Sequence, residues 1–537
     1  MSKPNVRLTL LTVTSILFLA ACGKEQVRKA TVEEDYMQGG VLRLAAQQPM
    51  SLDPIHSRNY WESEIVLQLF DSLLKFDANL NIIPGLAQDW HISSDGRTYT
   101  FNLRDDVQFH NGRKLIADDV VFSLSRLLDP RSKSEDAQFY MHLDAASSLK
   151  SAQSSVLKEI KSLDARVVEI RLEQPYAPFL RLLAQQAASI VPKEEVQNPL
   201  KAFETNPVGT GPFKIKDWDG GSEIILLANS KYYAGRPFLD QIRITGFPAL
   251  SAHENFNLFK ANKVDLSFVP ADQSPEIQKH PDWVFLSRPI LRLMYLGFNM
   301  RDHLLRNETI RQSIIASVHK VEVLGQDPDY SVVHNLIPFT LFGTELAPQP
   351  DPYNLEKAKQ LLRSYLRKKK SRLSLQLWHA RVSENREQML TRIADAIRAA
   401  GFEVTLKIVP SMNELLQQIY AGKAQMFLLG EQMDFPDPDA LLHRLFHSKS
   451  PANPFGYVNA RVDAMILEAQ ATLDEKQRTR LYGEIEQQIL QDSPILPLCL
   501  VKYSFVHHAR LEGLKMTPLG FQYLPLRSLR LRPISQP

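Results

Sequence analysis

Residues 373–409 read LSLQLWHARVSENREQMLTRIADAIRAAGFEVTLKIV, and this stretch decides the fold class of the chain. LSLQLW and VTLKIV have the pattern of strands, and NREQMLTRIADAIRAA between them has the pattern of an amphipathic helix. Gly401 follows this segment directly, at the position where a helix end prefers glycine. A strand, a helix and a second strand in this order form a parallel, right-handed unit. The stretch therefore predicts an α/β fold.

Strand-like and helix-like segments alternate through the rest of the chain. VLRLAA, TYTFNLR and VVEIRL predict strands, and IADDVVFSLSRLLD predicts a helix with an acidic start. SEIVLQLFDSLLKF predicts a helix over its whole length, because apolar residues recur at helical spacing from Ile65 to Phe76. NETIRQSIIASVHKVEVL and DPYNLEKAKQLLRSYL predict further helices. NPVGTGPF at 206–213 predicts a sharp crossover, since Gly209 and Gly211 allow the backbone to bend.

The amino terminus has the layout of an export signal. Lys3 and Arg7 precede an apolar run at residues 8–20, which is too short for a membrane span. LAAC, ending at Cys22, resembles the bacterial lipobox, in which the cysteine becomes a lipid-modified terminus; a plain signal peptide is the alternative. A diacylated cysteine tethers a soluble body to a membrane, so we expect an extracytoplasmic, periplasmic protein that Cys22 anchors.

The charge balance argues against a nucleic-acid partner. The 537 residues include 63 Lys and Arg against 60 Asp and Glu, a formal net charge of +3. Cys499 is the second of two cysteines, so once Cys22 is acylated no internal disulfide can form, and a core position is expected for Cys499. A chain of this length divides into two or three lobes.

The sequence lacks the motifs of common enzymes. It has no P-loop, GxSxG, HExxH, CxxC or dinucleotide-binding GxGxxG, so we expect neither a cofactor nor catalysis. His443 and His447 are spaced to share one face of a helix, but no third ligand accompanies them. A surface position is therefore favoured over a metal site.

A series of motifs runs in fixed order from Gly39 onward. They are VLRLAAQQPMSLDP, LFDSLLKFD, IIPGLAQDWHISSDGRTYTFNLRDDVQFHNG, IADDVVFSLSRLLDP, NPVGTGPFKIKDW, NSKYYAGRPFLDQIRI, KANKVDLSFVP, LGFNM, RQSIIASVHK, DPYNLEKAKQLL and DFPDPDALL. Together these motifs resemble the extracytoplasmic solute-binding proteins of the peptide/nickel class, family 5 (cluster C), which feed ABC importers. The resemblance covers roughly residues 39–535.

The resemblance implies an α/β fold of the periplasmic-binding-protein type II class, with three lobes and a hinged ligand cleft. Ligand binding closes the lobes, because the closed state gains contacts that the open state lacks. The expected division is a lipoprotein signal peptide with its lipobox at 1–22, a flexible tether at 23–37, lobe I at 38–71, 193–298 and 505–537, lobe II at 72–192, and lobe III at 299–504.

Residues 426–440, MFLLGEQMDFPDPDA, place an acid at the end of a buried strand. The resemblance implies that this acid, Asp434, pairs with the free α-amino group of a peptide ligand. A closed cleft excludes water, so an ammonium group inside it needs a charged partner. The alternative is that Asp434 only caps the turn before Pro436.

The resemblance also implies a cation for the other end of the peptide. Arg381 lies where dipeptide-binding relatives place a carboxylate-binding arginine, and its bidentate fork suits that role. Arg386 is a competitor for this role. The alternative is that Arg381 is an exposed loop arginine that binds no ligand. Oligopeptide-binding relatives carry an arginine six residues before the aspartate, where this chain has Leu428, so that mode of tripeptide recognition is in doubt.

Main-chain groups and a first-lobe segment complete the expected site. Gly430 and Gln432 are positioned to let a peptide add to the strand before Asp434, which would permit broad specificity. Asn59, Tyr60 and Trp61 match the segment that lobe I offers from the opposite side, although aromatic residues there suit a rim or a core equally well.

The leading hypothesis is a monomeric, lipid-anchored receptor that captures di- to oligopeptides and delivers them to the permease subunits of an ABC importer. Within the same fold, a nickel chelate, haem or another small solute is the alternative ligand. A hydrolase or a surface adhesin on a similar scaffold is the alternative from another class. A sensing role instead of transport stays open.

Overall fold

The computed structural model describes residues 39–532, except 58, 141–158, 199, 201, 219, 221, 278, 326, 342–347, 368–372, 382–383 and 521–522. Cys22, the predicted signal peptide and the predicted tether lie outside the described residues. None of the helices in the described part of the chain combines the length and the hydrophobicity that a membrane crossing requires.

The described strands are short except for two. Their bounds are β1 Val41–Gln47, β2 Leu74–Phe76, β3 Ile82–Pro84, β4 Ala87–Ile92, β5 Thr98–Leu103, β6 Ile160–Asp164, β7 Val167–Arg171, β8 Phe213–Asp217, β9 Glu223–Ala228, β10 Gln241–Phe247, β11 Leu266–Phe268, β12 Trp283–Phe298, β13 Tyr330–Val332, β14 Ser374–Ala380, β15 Glu403–Val409, β16 Met426–Gln432, β17 Ile495–His508, β18 Leu511–Glu512 and β19 Arg530–Leu531.

Helices separate many of these strands. Their bounds are α1 Tyr60–Leu69, α2 Ala117–Leu128, α3 Phe179–Leu182, α4 Lys193–Val196, α5 Ala252–Lys260, α6 Ser274–Ile277, α7 Glu308–Ser317, α8 Lys320–Leu324, α9 Leu355–Leu366, α10 Glu384–Ala399, α11 Met412–Tyr420, α12 Asp439–Phe446, α13 Ala460–Ala471 and α14 Glu475–Asp492.

Three larger sheets organise the described residues. One has the strand order β1-β10-β9-β8, and another has the order β4-β5-β7-β6. The third runs β11-β17-β12-β16-β14-β15, with β13 paired to β17. Each sheet buries apolar side chains against helices: β1 packs with α1, β5 with α2, and β14 with α10.

The unit that decides the fold class forms as predicted. β14 and β15 pair in parallel from Ser374 opposite Glu403 to Ala380 opposite Val409, and α10 connects them. Leu375 of β14 shares one buried cluster with Ile393 of α10, because the apolar stripe of the helix faces the sheet. The predicted α/β character is confirmed.

Two long strands run side by side through the third sheet. β12 spans 16 residues and β17 spans 14, and they pair antiparallel along most of their lengths. The register shifts between Pro289 and Leu293, and again between Met294 and Tyr295. On one side of the shift β17 also borders β11, and on the other side β12 borders β16. β12 and β17 therefore join two parts of one sheet.

The predicted helix SEIVLQLFDSLLKF is wrong beyond Leu69. α1 ends there, Phe70 is extended, and Leu74–Phe76 pairs with β3. The backbone N–H of Gly211 donates to the Leu69 carbonyl at 2.9 Å, so a tertiary contact takes a group that a longer helix would use. Helical periodicity continues past this point in the sequence, but the packing of a distant loop ends the helix.

The predicted helix NETIRQSIIASVHKVEVL is interrupted. α7 ends at Ser317, Val318 has extended backbone angles, and α8 begins at Lys320. The buried side chains of Val318 and Val323 keep both pieces against the same core as α10, which preserves the apolar pattern across the break.

Candidate ligand-binding site

The central strand β16 ends at a turn that an aspartate stabilises. β16 lies between β12 and β14 and ends at Gln432. The carboxylate of Asp437 accepts the backbone N–H of Asp439 at 3.0 Å and a hydrogen bond from the Arg478 guanidinium at 2.6 Å. The fully buried Asp437 therefore caps the turn that follows Pro436, and the capping alternative for Asp434, before Pro436, stays a prediction.

Asp434 shares one arginine with a second acid. Its side chain is 37% exposed, and Oδ2 lies 3.5 Å from Nη1 of Arg444, which α12 supplies. Arg444 binds Glu431 more closely, with Nε 2.8 Å from Glu431 Oε1. The charge of Arg292 also acts on Glu431, so Asp434 is the acid of the two that depends on the longer contact with Arg444.

Burial raises the pKa of both carboxyl groups. The pKa of Glu431 rises to about 7, mainly through burial and also through the charge of Asp434, while Arg444 opposes the shift. Burial raises the pKa of Asp434 in the same way, and Arg444 again opposes it. Acids whose charge is unfavourable in an empty site gain stability when a cation binds.

A third acid approaches from another segment. Asp136 begins a short turn at Asp136–Tyr140, and its pKa is raised to about 6 by burial and by the charges of Asp434 and Glu135. Among the described residues, its carboxylate forms neither an ion pair nor a hydrogen bond. Phe139 of this turn packs edge-to-face on Phe435, with ring centroids 6.1 Å apart.

Asp434, Asp136, Phe139 and Phe435 line one pocket of about 180 Å³. Its walls come from segments of all three predicted lobes, and its polar groups are carboxylates, hydroxyls and amides. The lining residues are Ser57, Ser63, Asp136, Phe139, Tyr140, Leu182, Gln185, Gln186, Ala187, Gln432, Met433, Asp434, Phe435 and Tyr523. A concave site with convergent polar groups and shifted pKa values is a candidate ligand site.

In its carboxyl-terminal part, β16 has a described strand partner on one side only. β16 pairs with β12 through all of Met426–Gln432, but the described pairing with β14 is confined to Met426 and Phe427. Gly430 lies within this part, and a Cβ atom there would meet the Sδ atom of Met294 at 2.6 Å. Gln432 lines the pocket. That Gly430 and Gln432 offer main-chain groups to a ligand stays a prediction.

Arg381 lies at the same edge of the sheet as Asp434 but outside the pocket. It follows β14, which runs parallel to β16, so both residues are at carboxyl ends of strands. Its side chain is 77% exposed, with Nε 3.8 Å from Glu387 Oε1. The competitor Arg386 lies on α10, where its charge opposes the rise that burial causes in the pKa of Tyr330. The carboxylate-binding role of Arg381 stays a prediction.

The first-lobe segment has structural roles at two of its three predicted positions. Asn59 caps α1, accepting the backbone N–H groups of Trp61 and Glu62 at 3.0 Å each. Trp61 is 4% exposed and packs edge-to-face on Phe268, with centroids 5.4 Å apart, so the structure assigns it to the core instead of the pocket. Tyr60 is the first residue of α1.

The histidine pair is not the surface pair that the spacing suggested. The rings of His443 and His447 lie 4.9 Å apart, but His447 is only 8% exposed and burial lowers the pKa of both imidazoles. Within the described part of the chain, no three His, Cys, Asp or Glu side chains converge as metal ligands would. Cys499 is buried and free, as predicted.

Sequence reasoning missed most of the pocket wall outside β16. Asp136 lies in SEDAQFY, which has neither a strand nor a helix period, and no motif marks it. Ser57 and Ser63 flank the predicted positions 59–61 and line the pocket instead of them. The three predicted residues pointed to the right segment because α1 begins there.

The fold and the pocket define a solute-binding protein. The chain belongs to the bacterial extracellular solute-binding proteins, family 5, whose middle-region model matches residues 81–453. Members of this family are extracytoplasmic.

Individual relatives share the length and the fold. The Escherichia coli K12 dipeptide-binding protein is 29% identical over 487 residues, covering 84% of this chain and 87% of that protein. Heme-binding protein A of Haemophilus influenzae is 27% identical, covering 96% and 98%. The unliganded open form of the periplasmic murein tripeptide binding protein MppA has a TM-score of 0.81 at 20% identity, covering 92% and 98%. The predicted type of α/β fold is confirmed.

Proposed function

We propose that this chain captures short peptides outside the cytoplasm for an ABC importer, and that Asp434 binds the peptide α-amino group. The observation that carries the proposal is the incomplete neutralisation of Asp434. Its carboxylate lies on the pocket wall, 37% exposed, and its arginine is held more closely by Glu431. The relationship to the E. coli dipeptide-binding protein supports the same ligand class.

The geometry of β16 suits a peptide main chain. Beyond Phe427, described pairing with β14 ends, so backbone groups near Gly430 and Gln432 are placed to bond an added strand. Main-chain bonding reads no side-chain sequence, which permits broad specificity. Arg381, at the same edge of the sheet, is proposed as the cation for the far carboxylate.

The remaining parts of the proposal concern the assembly. Lobes I, II and III, with the boundaries given above, close around the ligand as a hinge. A lipid on Cys22 holds the body at a membrane, where permease subunits collect the peptide. The chain works as a monomer with no nucleic-acid partner and no catalysis of its own, so bound peptides are expected to stay uncut.

Titration calorimetry of Asp434→Asn with trialanine tests the proposal. Removing one member of a desolvated ion pair costs roughly 2–5 kcal/mol. The affinity should therefore fall by a factor between roughly 30 and several thousand. Asp395→Asn is the matched control, because Asp395 is an exposed carboxylate on α10 that pairs only locally with Arg398. Its affinity should match that of the wild type, and an unchanged affinity in Asp434→Asn would contradict the proposal.

A further inference from the structure

Two carboxylates lie on the pocket wall, and within the described residues Asp136 has no cation paired with it. Asp434 and Asp136 both line the pocket, and Glu431 lies behind Asp434. Arg444 is held by Glu431 at 2.8 Å and reaches Asp434 only at 3.5 Å. If a single ligand ammonium pairs with Asp434, the carboxylate of Asp136 is left without a counter-ion.

Asp136 lacks a structural reason for its position. Its carboxylate has neither an ion pair nor a hydrogen bond among the described residues, whereas Asp437 accepts hydrogen bonds from Arg478 and from a backbone N–H. Unpaired acids near a like charge destabilise an empty site, and they are typical of places where a ligand supplies the missing charge.

An amide side chain lies on the same pocket wall. Gln185 lines the wall, its Oε1 accepts the Tyr523 hydroxyl at 2.8 Å, and its Nε2 is buried with no hydrogen-bond partner in the described part of the chain. Because this nitrogen is closed off from the pocket, the carboxylate of Asp136 is the group on this wall that a ligand can pair with.

We infer that Asp136 is a second ligand-contacting carboxylate, so the pocket prefers a peptide whose first residue is lysine or arginine. This inference rests on the proposed function. The α-ammonium pairs with Asp434, the side-chain cation pairs with Asp136, and the peptide main chain bonds along β16 as proposed above. A free diamine offers the same pair of charges but no carbonyl.

Calorimetry of the full chain with Lys-Ala-Ala, trialanine and cadaverine tests the inference. The wild type should bind Lys-Ala-Ala roughly tenfold more tightly than trialanine, because a partly desolvated charge pair is added. Asp136→Asn should lose that preference while its trialanine affinity changes less than about threefold. Glu135→Gln is the matched control, since Glu135 is an exposed neighbouring acid that does not line the pocket, and it should keep the preference.

The outcomes separate this inference from the function on which it rests. Equal wild-type affinity for the two tripeptides would overturn the inference and leave peptide binding intact. An equal loss of affinity for both tripeptides in Asp136→Asn would also overturn it. Asp136 would then shape the pocket without contacting the lysine side chain of the peptide. Cadaverine binding as tight as Lys-Ala-Ala would identify a diamine site and overturn it too. If neither tripeptide binds, the proposed function fails together with the inference.

Discussion

At the scale of single residues, the charged forms of Asp136 and Glu431 lower the free energy of unfolding of the ligand-free protein at neutral pH. The pKa of Asp136 is raised to about 6 and that of Glu431 to about 7, whereas ordinary carboxyl groups in an unfolded chain titrate near pH 4. Between about pH 4 and pH 7 the folded state therefore binds more protons than the unfolded state. Their contribution to the free energy of unfolding falls as the pH rises through this window.

Asp136→Asn should stabilise the ligand-free protein at pH 7.5 but not at pH 4. At pH 7.5 the substitution removes a buried negative charge, and the free energy of unfolding should rise by about 1–2 kcal/mol. At pH 4 the wild-type carboxyl is already neutral in the folded state, so the difference should vanish. Urea unfolding at the two pH values measures this, and a loss of stability at pH 7.5 would contradict the assignment of a strained charge.

The sequence could indicate Asp434 and could not indicate Asp136. Asp434 follows an apolar strand in a motif shared with a family, so its position at a strand end was predictable. Asp136 belongs to a turn whose Phe139 packs on Phe435, some 300 positions away in the chain. Such a contact leaves no periodic trace in either segment.

At the scale of elements, a glycine loop decides where α1 ends. A Cβ atom on Gly209 would lie 2.0 Å from the Leu69 carbonyl oxygen, and one on Gly211 would lie 2.5 Å from the Gln68 carbonyl oxygen. The loop therefore packs its bare backbone directly on the last turn of α1. The glycines matter here for close approach, in addition to the bend that the sequence predicted.

Gly209→Ala should destabilise the protein strongly while Gly246→Ala should not. The new methyl at Gly209 meets backbone atoms that cannot rotate away, so we expect a loss of about 3 kcal/mol or more in the free energy of unfolding. At Gly246 the nearest atom to a Cβ would be 3.4 Å away, and a change within about 1 kcal/mol is expected. Thermal unfolding of both variants measures the difference, and equal melting temperatures would refute the packing argument.

Element type was predictable where packing agrees with local pattern. β14, α10 and β15 formed as predicted because their apolar residues meet the core that the pattern implies. α1 is shorter than predicted because the loop at 206–213 packs against its end, and tertiary contacts outweigh periodicity in one short segment.

At the scale of the whole molecule, long-range strand pairing sets the arrangement of the sheets. β1 pairs with β10, and β12 pairs with β17, across about 200 positions of sequence each. Local periodicity predicts each strand but not its neighbour, since pairing depends on partners that are distant in the chain. The α/β class was therefore predictable from the residues, whereas the three lobes were expected only from the family resemblance and the pairing of the strands into three sheets was not predicted.

Peptide binding should make the molecule more compact. If the proposed lobes close on a ligand, small-angle X-ray scattering should record a smaller radius of gyration with saturating Lys-Ala-Ala than without it. Asp434→Asn at the same peptide concentration should keep the ligand-free value, and Asp395→Asn should contract like the wild type. If the radius of gyration of the wild type does not change when the peptide is added, the result would argue against closure about a hinge.

The paired strands β12 and β17 also limit the directions in which the two parts of their sheet can move relative to each other. Two neighbouring strands tied by a ladder of hydrogen bonds resist sliding and sideways bending, and they yield most easily out of the plane of the sheet. Their register shift near Pro289 marks where this ribbon is least regular. If the proposed lobes move about that point, the paired strands favour rotation about a single axis, so the open and closed states would differ by one simple rotation.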